Sequence, residues 1–567
     1  MKNSFFLLLL LLLLISCSRS KRTYADLILK NGHFFTADEK YQQVTAVAIS
    51  ADTILALGSD NDIIKYADEK TQVIDLNGAF AMPGFIEGHG HFLSLGESLQ
   101  NLNLLHTSSW QQIVEMVKSK IQSAQPGEWI EGRGWHQEKW SQDPGITVNG
   151  YPYHDALSAV SSDNPVVLYH ASGHGLIANA AAMKLAGISR ETPDPAGGRI
   201  VRDVKGNAIG VFEENAMALI DKPYSEWKNR RPESERQADL IKTATIAAEK
   251  CLSLGITSFQ DAASSLWELR QLRSMAESGK LPVRLWAMIF QPSENELPEL
   301  KNYPQIGIAN RHFTCRAVKA YFDGALGSYG AWLLNDYSDK PGFTGQNTTP
   351  TDTIRMLARA CLDNKLQLCV HAIGDRANRE VLNIYESTFN TTGKKGERWR
   401  IEHAQHIDTA DIPRFGRLGV IAAMQAIHCT SDAPFVVKRL GEQRARTGAY
   451  AWRSLLDSGA NIANGTDTPV EEADPLPCLY ASITRKRTDT GLEFYPEQSM
   501  TRNEALLSYT LWNAYAAFEE NEKGSLSPGK LADIVVLSEN LVECTPDALL
   551  KAEIIKTIVG GKVLFQR

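Results

Sequence analysis

The segment MPGFIEGHGH, residues 82–91, places two histidines one residue apart at the end of an apolar run. Successive side chains of a β-strand point to opposite faces, so positions i and i+2 share a face. His89 and His91 therefore leave the strand side by side, and two imidazoles so arranged can grip one cation. The competing reading is a polar strand end whose histidines only form hydrogen bonds. The rest of the chain has to decide between them.

Apolar, β-rich segments recur downstream at 255–262 (GITSFQDA), 282–290 (PVRLWAMIF), 315–324 (CRAVKAYFDG), 366–375 (LQLCVHAIGD), 399–407 (WRIEHAQHI), 419–427 (GVIAAMQAI) and 461–469 (NIANGTDTP). Stretches of helical periodicity, such as Thr353–Asn364 and Asp375–Phe389, lie between most of them. With the opening segment this predicts eight strand–helix units, an α/β fold of the TIM-like (β/α)8 barrel type. Reactive residues of such a barrel gather at the C-terminal ends of its strands. On that frame His89 and His91 end strand one, Lys319 lies in strand four, His371 ends strand five, His403 ends strand six and Asp467 ends strand eight. Six metal-competent side chains thus converge on one rim.

A chain of 567 residues exceeds a single ordinary core. Short β-type pieces fill both ends, ADLILKNGHFFT and TILALGS near the start, GSLSPGKLADIVVLS and IIKTIVGGKVLFQ near the finish. They predict a small composite β-sandwich from residues 25–80 and 520–567, with the barrel at 81–519 between them. Residues 98–250 separate the first two strands and contain GEWIEGRGWHQEKW and NPVVLYHASGHGLIANAAAM, which read as folded chain. An insertion in a barrel loop of that kind covers the mouth of the site.

The 59 basic and 66 acidic residues leave a net charge of -7 with no long single-sign block, so no nucleic-acid partner is expected. At the N-terminus, Lys2 precedes an apolar run from Phe5 to Ile15, shorter than the roughly 20 residues a membrane helix needs. The run closes on Leu14-Ile15-Ser16-Cys17, which resembles the lipobox of bacterial lipoproteins. That resemblance implies cleavage before Cys17, lipidation of Cys17, a polar tether over 18–24 and an exported domain held at a bacterial membrane. Of the other cysteines, Cys251, Cys361 and Cys369 sit in apolar surroundings and read as buried small hydrophobes.

Taken together, MPGFIEGHGH, VKAYFDGALGS (318–328), VHAIGDRA (370–377), RIEHAQHI (400–407), MQAIHCTSD (424–432), NGTDTPVEEADPL (464–476) and GSLSPGKLADIVVL (524–537) resemble, in order and spacing, the amidohydrolase superfamily. The resemblance is to its amidohydrolase-3 branch, which includes N-substituted formamide deformylases, and it covers nearly the whole mature chain. It implies a barrel with one or two divalent metals, usually zinc, and hydrolysis of an amide or related C–N bond of a small molecule by a metal-activated hydroxide. It further implies that Lys319 is carboxylated and bridges the metals. Relatives commonly read Gln-Pro before the strand-seven histidine, whereas this chain reads Gln425-Ala426, which bears on His428.

Imidazole nitrogen and carboxylate oxygen both suit zinc at about 2.0–2.2 Å, and a lysine serves only when neutral or carboxylated. Asp467 is the expected acid–base group, a metal ligand that takes a proton from water and returns it to the departing nitrogen. His174 in SGHG and His428 read as substrate-binding residues, against a purely structural role for each. Lys319 has the alternative of an interior lysine paired with an acid. His406 reads as structural, Asp323 as either a support of the site or interior filling, and Glu214 and Asp261 rank lower. Trp135, Tyr169 and Trp452 line an apolar pocket or belong to the core. His33, His106, His136, His154 and His312 receive no role. The rival readings are a deaminase or other hydrolase on the same scaffold, and a non-catalytic surface binding protein.

Overall fold

The computed structural model describes residues 24–393 and 397–567. The signal peptide, Cys17 and residues 18–23 of the tether lie outside the described residues. Eight parallel strands form the central sheet, β1 (Phe85–Gly90), β2 (Ile256–Ser264), β3 (Arg284–Phe290), β4 (Phe313–Tyr321), β5 (Gln367–Ala372), β6 (Arg400–His403), β7 (Ile421–Met424) and β8 (Ile462–Asn464), and a short antiparallel strand, Gln305–Gly307, pairs with β4. Each is parallel to the next in chain order, β1 to β8. The strands are buried on both faces, as expected of parallel strands enclosed by helices. Helices Thr351–Asp363 and Asp375–Thr392 flank β5, where the periodicity placed them.

Among the described residues β8 and β1 share no ladder pair, and a side chain completes the seam. Asn513 Nδ2 donates to the carbonyls of Ile86 (2.6 Å) and Asn464 (2.7 Å), while its Oδ1 accepts from Asn464 N at 3.0 Å. Toward the mouth, Asp467 N donates to His89 O at 2.8 Å and His91 N to Thr468 O at 2.7 Å. The seam thus sets Asp467 directly against the two histidines.

The opening segment divides in two. Phe80–Pro83 joins a five-stranded sheet whose order is His33–Phe34, Phe80–Pro83, Ile534–Leu537, Ile554–Val559, Lys562–Gln566, and only the residues after Gly84 enter the barrel. Strands Thr53–Gly58, Ala46–Ser50, Leu27–Lys30 and Gln72–Asp75 form a second, four-stranded sheet. One apolar cluster takes Leu27, Leu29, Val47 and Ile49 from this sheet and Ala81, Ile534, Val536 and Ile558 from the other. The opposite face of the five-stranded sheet, with Phe80, Met82, Val535 and Leu537, packs into the barrel core.

The stretch after β1 is folded around a six-stranded mixed sheet. Its strands run in the order Gly198–Arg202, Ala208–Glu214, Gly175–Ala178, Val166–His170, Ile130–Trp135, Leu102–Asn103. Alternation separates two cores here: Val166 and Leu168 face one cluster with Trp135, and Val167 faces the other with Trp129 and Phe212. Trp135 and Trp452 are fully buried core residues, not pocket walls. The seven cysteines beyond Cys17 are all free, six of them buried.

Candidate metal-dependent active site

β1 ends one residue before His91, which opens helix Phe92–Ser98. Asp261 of β2 accepts from Phe92 N at 2.9 Å and from Ser264 Oγ at 2.6 Å, so it anchors the start of that helix. His89 Nε2 lies 3.4 Å and His91 Nε2 3.1 Å from Asp467 Oδ1, and His403 Nδ1 lies 3.9 Å from Asp467 Oδ2. Asp467 stands three residues beyond β8, at a left-handed φ of 58° that turns its carboxylate into the mouth. His89, His91 and Asp467 bring donor atoms within 4.8 Å of one another, and so do His403, His428 and Asp467. One carboxylate is common to both groups.

His371 of β5 packs its ring 4.5 Å from that of His403 and 5.0 Å from that of His174. Lys319 of β4 is fully buried, its Nζ 4.9 Å from the ring centre of Tyr321. Burial lowers the pKa values of His91, His371, His403 and Lys319, which favours the neutral, lone-pair-bearing form of each. Burial alone would raise that of Asp467. The imidazoles of His89 and His91 outweigh it and hold the carboxyl well below the usual range.

A second layer aims these groups. His89 Nδ1 is held by Glu402 Oε2, leaving Nε2 toward the mouth. Glu402 is held in turn by Arg400, at 2.7 and 2.9 Å, and Arg400 Nη2 donates to Gly88 O at 2.8 Å. His403 Nδ1 pairs with Gln425 Oε1 at 2.8 Å, and Gln405 Nε2 donates to His428 Nδ1 at 3.0 Å. Asp323 accepts from the backbone N–H groups of Ile373, Gly374 and Trp332 at 2.8–2.9 Å and stands 3.5 Å from His371 Nε2. It therefore supports the loop after β5. The Gln425-Ala426 departure has a visible use: Ala426 N, a donor that proline lacks, bonds Asn464 Oδ1 at 3.2 Å. His428 sits in the first turn of helix Ala426–Leu440, beyond β7.

The inserted subdomain reaches the same cavity. His174 Nδ1 lies 2.8 Å from Glu214 Oε2, and although burial opposes the charge, Glu214 raises the pKa of His174. Glu214 adopts φ 50°, ψ -130°, a strained conformation for a residue with a side chain. Its carboxylate fits only because Gly324 and Gly330 are bare: a Cβ on either would stand 2.0 or 2.2 Å from Oε1. His174, His371, His403 and Asp467 line a cavity of about 610 Å³ with His91, Arg133, Glu214, Phe290, Tyr321 and Asp323. His136, His170 and His428 line an adjoining lobe. His406 is buried against Tyr450, and His33 and His106 are exposed. Sequence reasoning missed Glu402, Arg400, Gln425 and Arg133.

The residues fit a divalent ion. His89 Nε2, both nitrogens of His371 and Lys319 Nζ are buried without a hydrogen-bond partner among the described residues, and Asp467 Oδ1 has only the imidazoles of His89 and His91 beside it. Leaving such a group unpaired costs roughly 1–3 kcal/mol, so four such atoms on one rim mark a place built for a cation. An eight-stranded parallel barrel carrying these donors at its C-terminal mouth defines a metal-dependent hydrolase. Residues 72–565 match the amidohydrolase family, and the chain belongs to that family. It is 31% identical over 560 residues to Protein LONG AFTER FAR-RED 3 of Arabidopsis thaliana, covering 95% of this chain and 92% of that one. It is 25% identical over 550 residues to N-substituted formamide deformylase of Arthrobacter pascens, covering 96% and 98%. A metal-dependent hydrolase of Pyrococcus furiosus, known from its crystal structure, superposes with a TM-score of 0.71 at 26% identity, covering 91% and 100%.

Proposed function

We propose that the protein hydrolyses a C–N bond, an amide, N-formyl or N-acyl linkage, of a small molecule. The observation that carries this reading is Asp467, an ionised carboxylate shared by two groups of imidazole donors at the mouth of the barrel. The similarity to a formamide deformylase along 98% of that enzyme supports the choice of bond.

His89, His91, His371, His403, Asp467 and Lys319, carboxylated on Nζ, would hold one or two zinc ions. Such ions polarise the scissile carbonyl and lower the pKa of water at the site toward ~7. Asp467 accepts the proton of the water that attacks the carbonyl carbon and delivers it to the nitrogen as the C–N bond breaks, so water and amide leave as acid and amine. His174, fixed by Glu214, and His428, fixed by Gln405, face the substrate. The inserted sheet shields the reacting atoms from bulk solvent.

The same reading includes export and lipid anchoring at Cys17, for which the supporting feature is the Leu-Ile-Ser-Cys sequence. It also includes a composite sandwich of the two terminal sheets, supported by their shared apolar cluster. The test is a screen of N-formyl, N-acetyl and longer N-acyl compounds on protein beginning after Cys17, with metal analysis of the same sample. Turnover of any of them, lost on metal removal, supports the reading; metal-replete protein inactive on the whole set overturns it.

A further inference from the structure

The acids around the cavity are all engaged. Asp221 accepts from the Tyr169 hydroxyl at 2.7 Å, Glu214 faces His174, Asp323 takes three backbone N–H groups, and Asp467 faces the imidazoles. The base among them is not. Arg133, on inserted strand Ile130–Trp135, lines the cavity beside His91, Tyr321 and Asp467. Its strand-mate two residues back, Glu131, is taken by the Tyr224 hydroxyl and by Lys228 at 3.5 Å. Among the described residues the Arg133 guanidinium makes one hydrogen bond, from Nη2 to Ala171 O at 3.1 Å, and its Nε is buried with none. Burial pulls its pKa below the usual value despite the attraction of Asp467.

Elsewhere this chain neutralises its buried arginines. Arg284 meets Asp533, Arg400 meets Glu402, and Arg439 meets Asp339. Among the described residues Arg485 forms no ion pair, but the carbonyls of Phe494 and Tyr450 cap it, Trp452 stacks on it, and it does not line the cavity. A partly buried guanidinium with no acid of its own is costly to keep and is an anion receptor by its chemistry.

We propose that Arg133 is a specificity residue that binds a carboxylate of the substrate, so that the compounds turned over are N-acyl amino acids or similar acids. This rests on the C–N hydrolase reading for the chemistry but not for the binding. The planar fork of arginine matches a carboxylate in two-point contact. A dianionic phosphate is disfavoured, because its second charge would stand among the carboxylates of Asp221, Glu214, Asp323 and Asp467 that line the same cavity. Phe290, Met217 and Val470 supply apolar wall for the rest of the molecule.

The experiment compares the metal-loaded protein with Arg133→Met, which keeps length and loses charge, using N-acetyl amino acids and their uncharged carboxamides. Dissociation constants come from calorimetry, kcat/KM from turnover, and metal content and melting temperature are matched first; Arg133→Lys serves as a second variant. The parent is expected to favour the acid, and Arg133→Met to weaken the acid alone by roughly 10- to 100-fold, the worth of a charge-assisted hydrogen bond. Arg133→Lys should fall between. An equal response to acid and carboxamide in the parent, or an acid preference that survives in Arg133→Met, overturns the subsite. If the acid preference appears in binding while neither compound is cleaved, the subsite stands and the hydrolase reading falls. If both are cleaved alike by parent and variant, the reverse holds.

Discussion

The barrel mouth and the part of the inserted subdomain around Asn179 handle buried polarity in opposite ways. At the mouth, His89 Nε2, His371 Nδ1 and Nε2 and Lys319 Nζ make no hydrogen bond among the described residues. In the inserted sheet, Asn179 alone closes a network: its Nδ2 donates to Ser161 O, Ser161 Oγ and Asn164 O at 2.8–3.0 Å, and its Oδ1 accepts from Val166 N and Ala182 N at 2.9 Å. Around Asn179 the inserted subdomain is finished by its own chain, whereas the mouth, together with Arg133 and Glu214 on the inserted strands that line it, keeps unpaired polar atoms for a ligand. An unsatisfied rim is a stored demand for a cation, and it locates function where stability is given up.

The strongest way to break this contrast is chelation. Stripping divalent ions should abolish turnover, and adding zinc back should restore it together with a higher melting temperature, since a ligand that binds only the folded state stabilises it. Recovery of neither would mean that the rim needs no ion. Next, Asp467→Asn keeps an oxygen donor but not the base. Turnover should fall by the ~10²- to 10⁴-fold typical of a lost acid–base group while the metal content holds. A metal-loaded Asn variant within a few-fold of the parent rate would remove Asp467 from the role.

Smaller effects sharpen the comparison. Glu402→Gln leaves His89 in place but loosens its aim, and should cost roughly 10- to 100-fold in metal affinity or activity, read by metal titration. Asn179→Ala should instead lower stability by about 1–3 kcal/mol in denaturant unfolding and leave metal affinity unchanged. A metal defect in that variant would show that the two regions are not independent. The smallest effect is a slope. Asp221 is pushed up to about 6 by burial, so the folded chain keeps a proton that the unfolded chain releases near pH 4. The stability that Asp221 contributes should therefore decline as pH rises from about 4 to about 6 and level off above. Asp221→Asn should flatten that window.

All eight barrel strands were legible as apolar β-rich segments, because parallel strands buried on both faces must be continuously apolar. The break at Pro83-Gly84 was not, since an unbroken apolar run does not show which sheet each half will join. His89, His91, His371, His403, Lys319 and Asp467 could be named because few residue types bind metals and strand ends concentrate them. Glu402 was hidden by the alternation rule itself. It should face away from its neighbour His403, but His403 carries φ 74°, which breaks the alternation and lets both approach the mouth. Arg133 was invisible for a different reason. Its strand pairs in parallel with Val166–His170, across a sheet whose order no local pattern in residues 98–250 announces.

Asn513 stitches β1 to β8 across 427 residues of chain. At ribosomal rates of about 5–20 residues per second, roughly 20–90 s separate the synthesis of Ile86 from that of the side chain that binds it. The strand at Phe80–Pro83 waits longer still for Ile534–Leu537. For most of that interval, until residue 467 is made, His89 and His91 exist without Asp467. The mouth is among the last parts of the molecule to come into being, and a chain cut short before Asn513 keeps the residues of the His89–Asp467 and His91–Thr468 links but loses the side chain that stitches the seam below them.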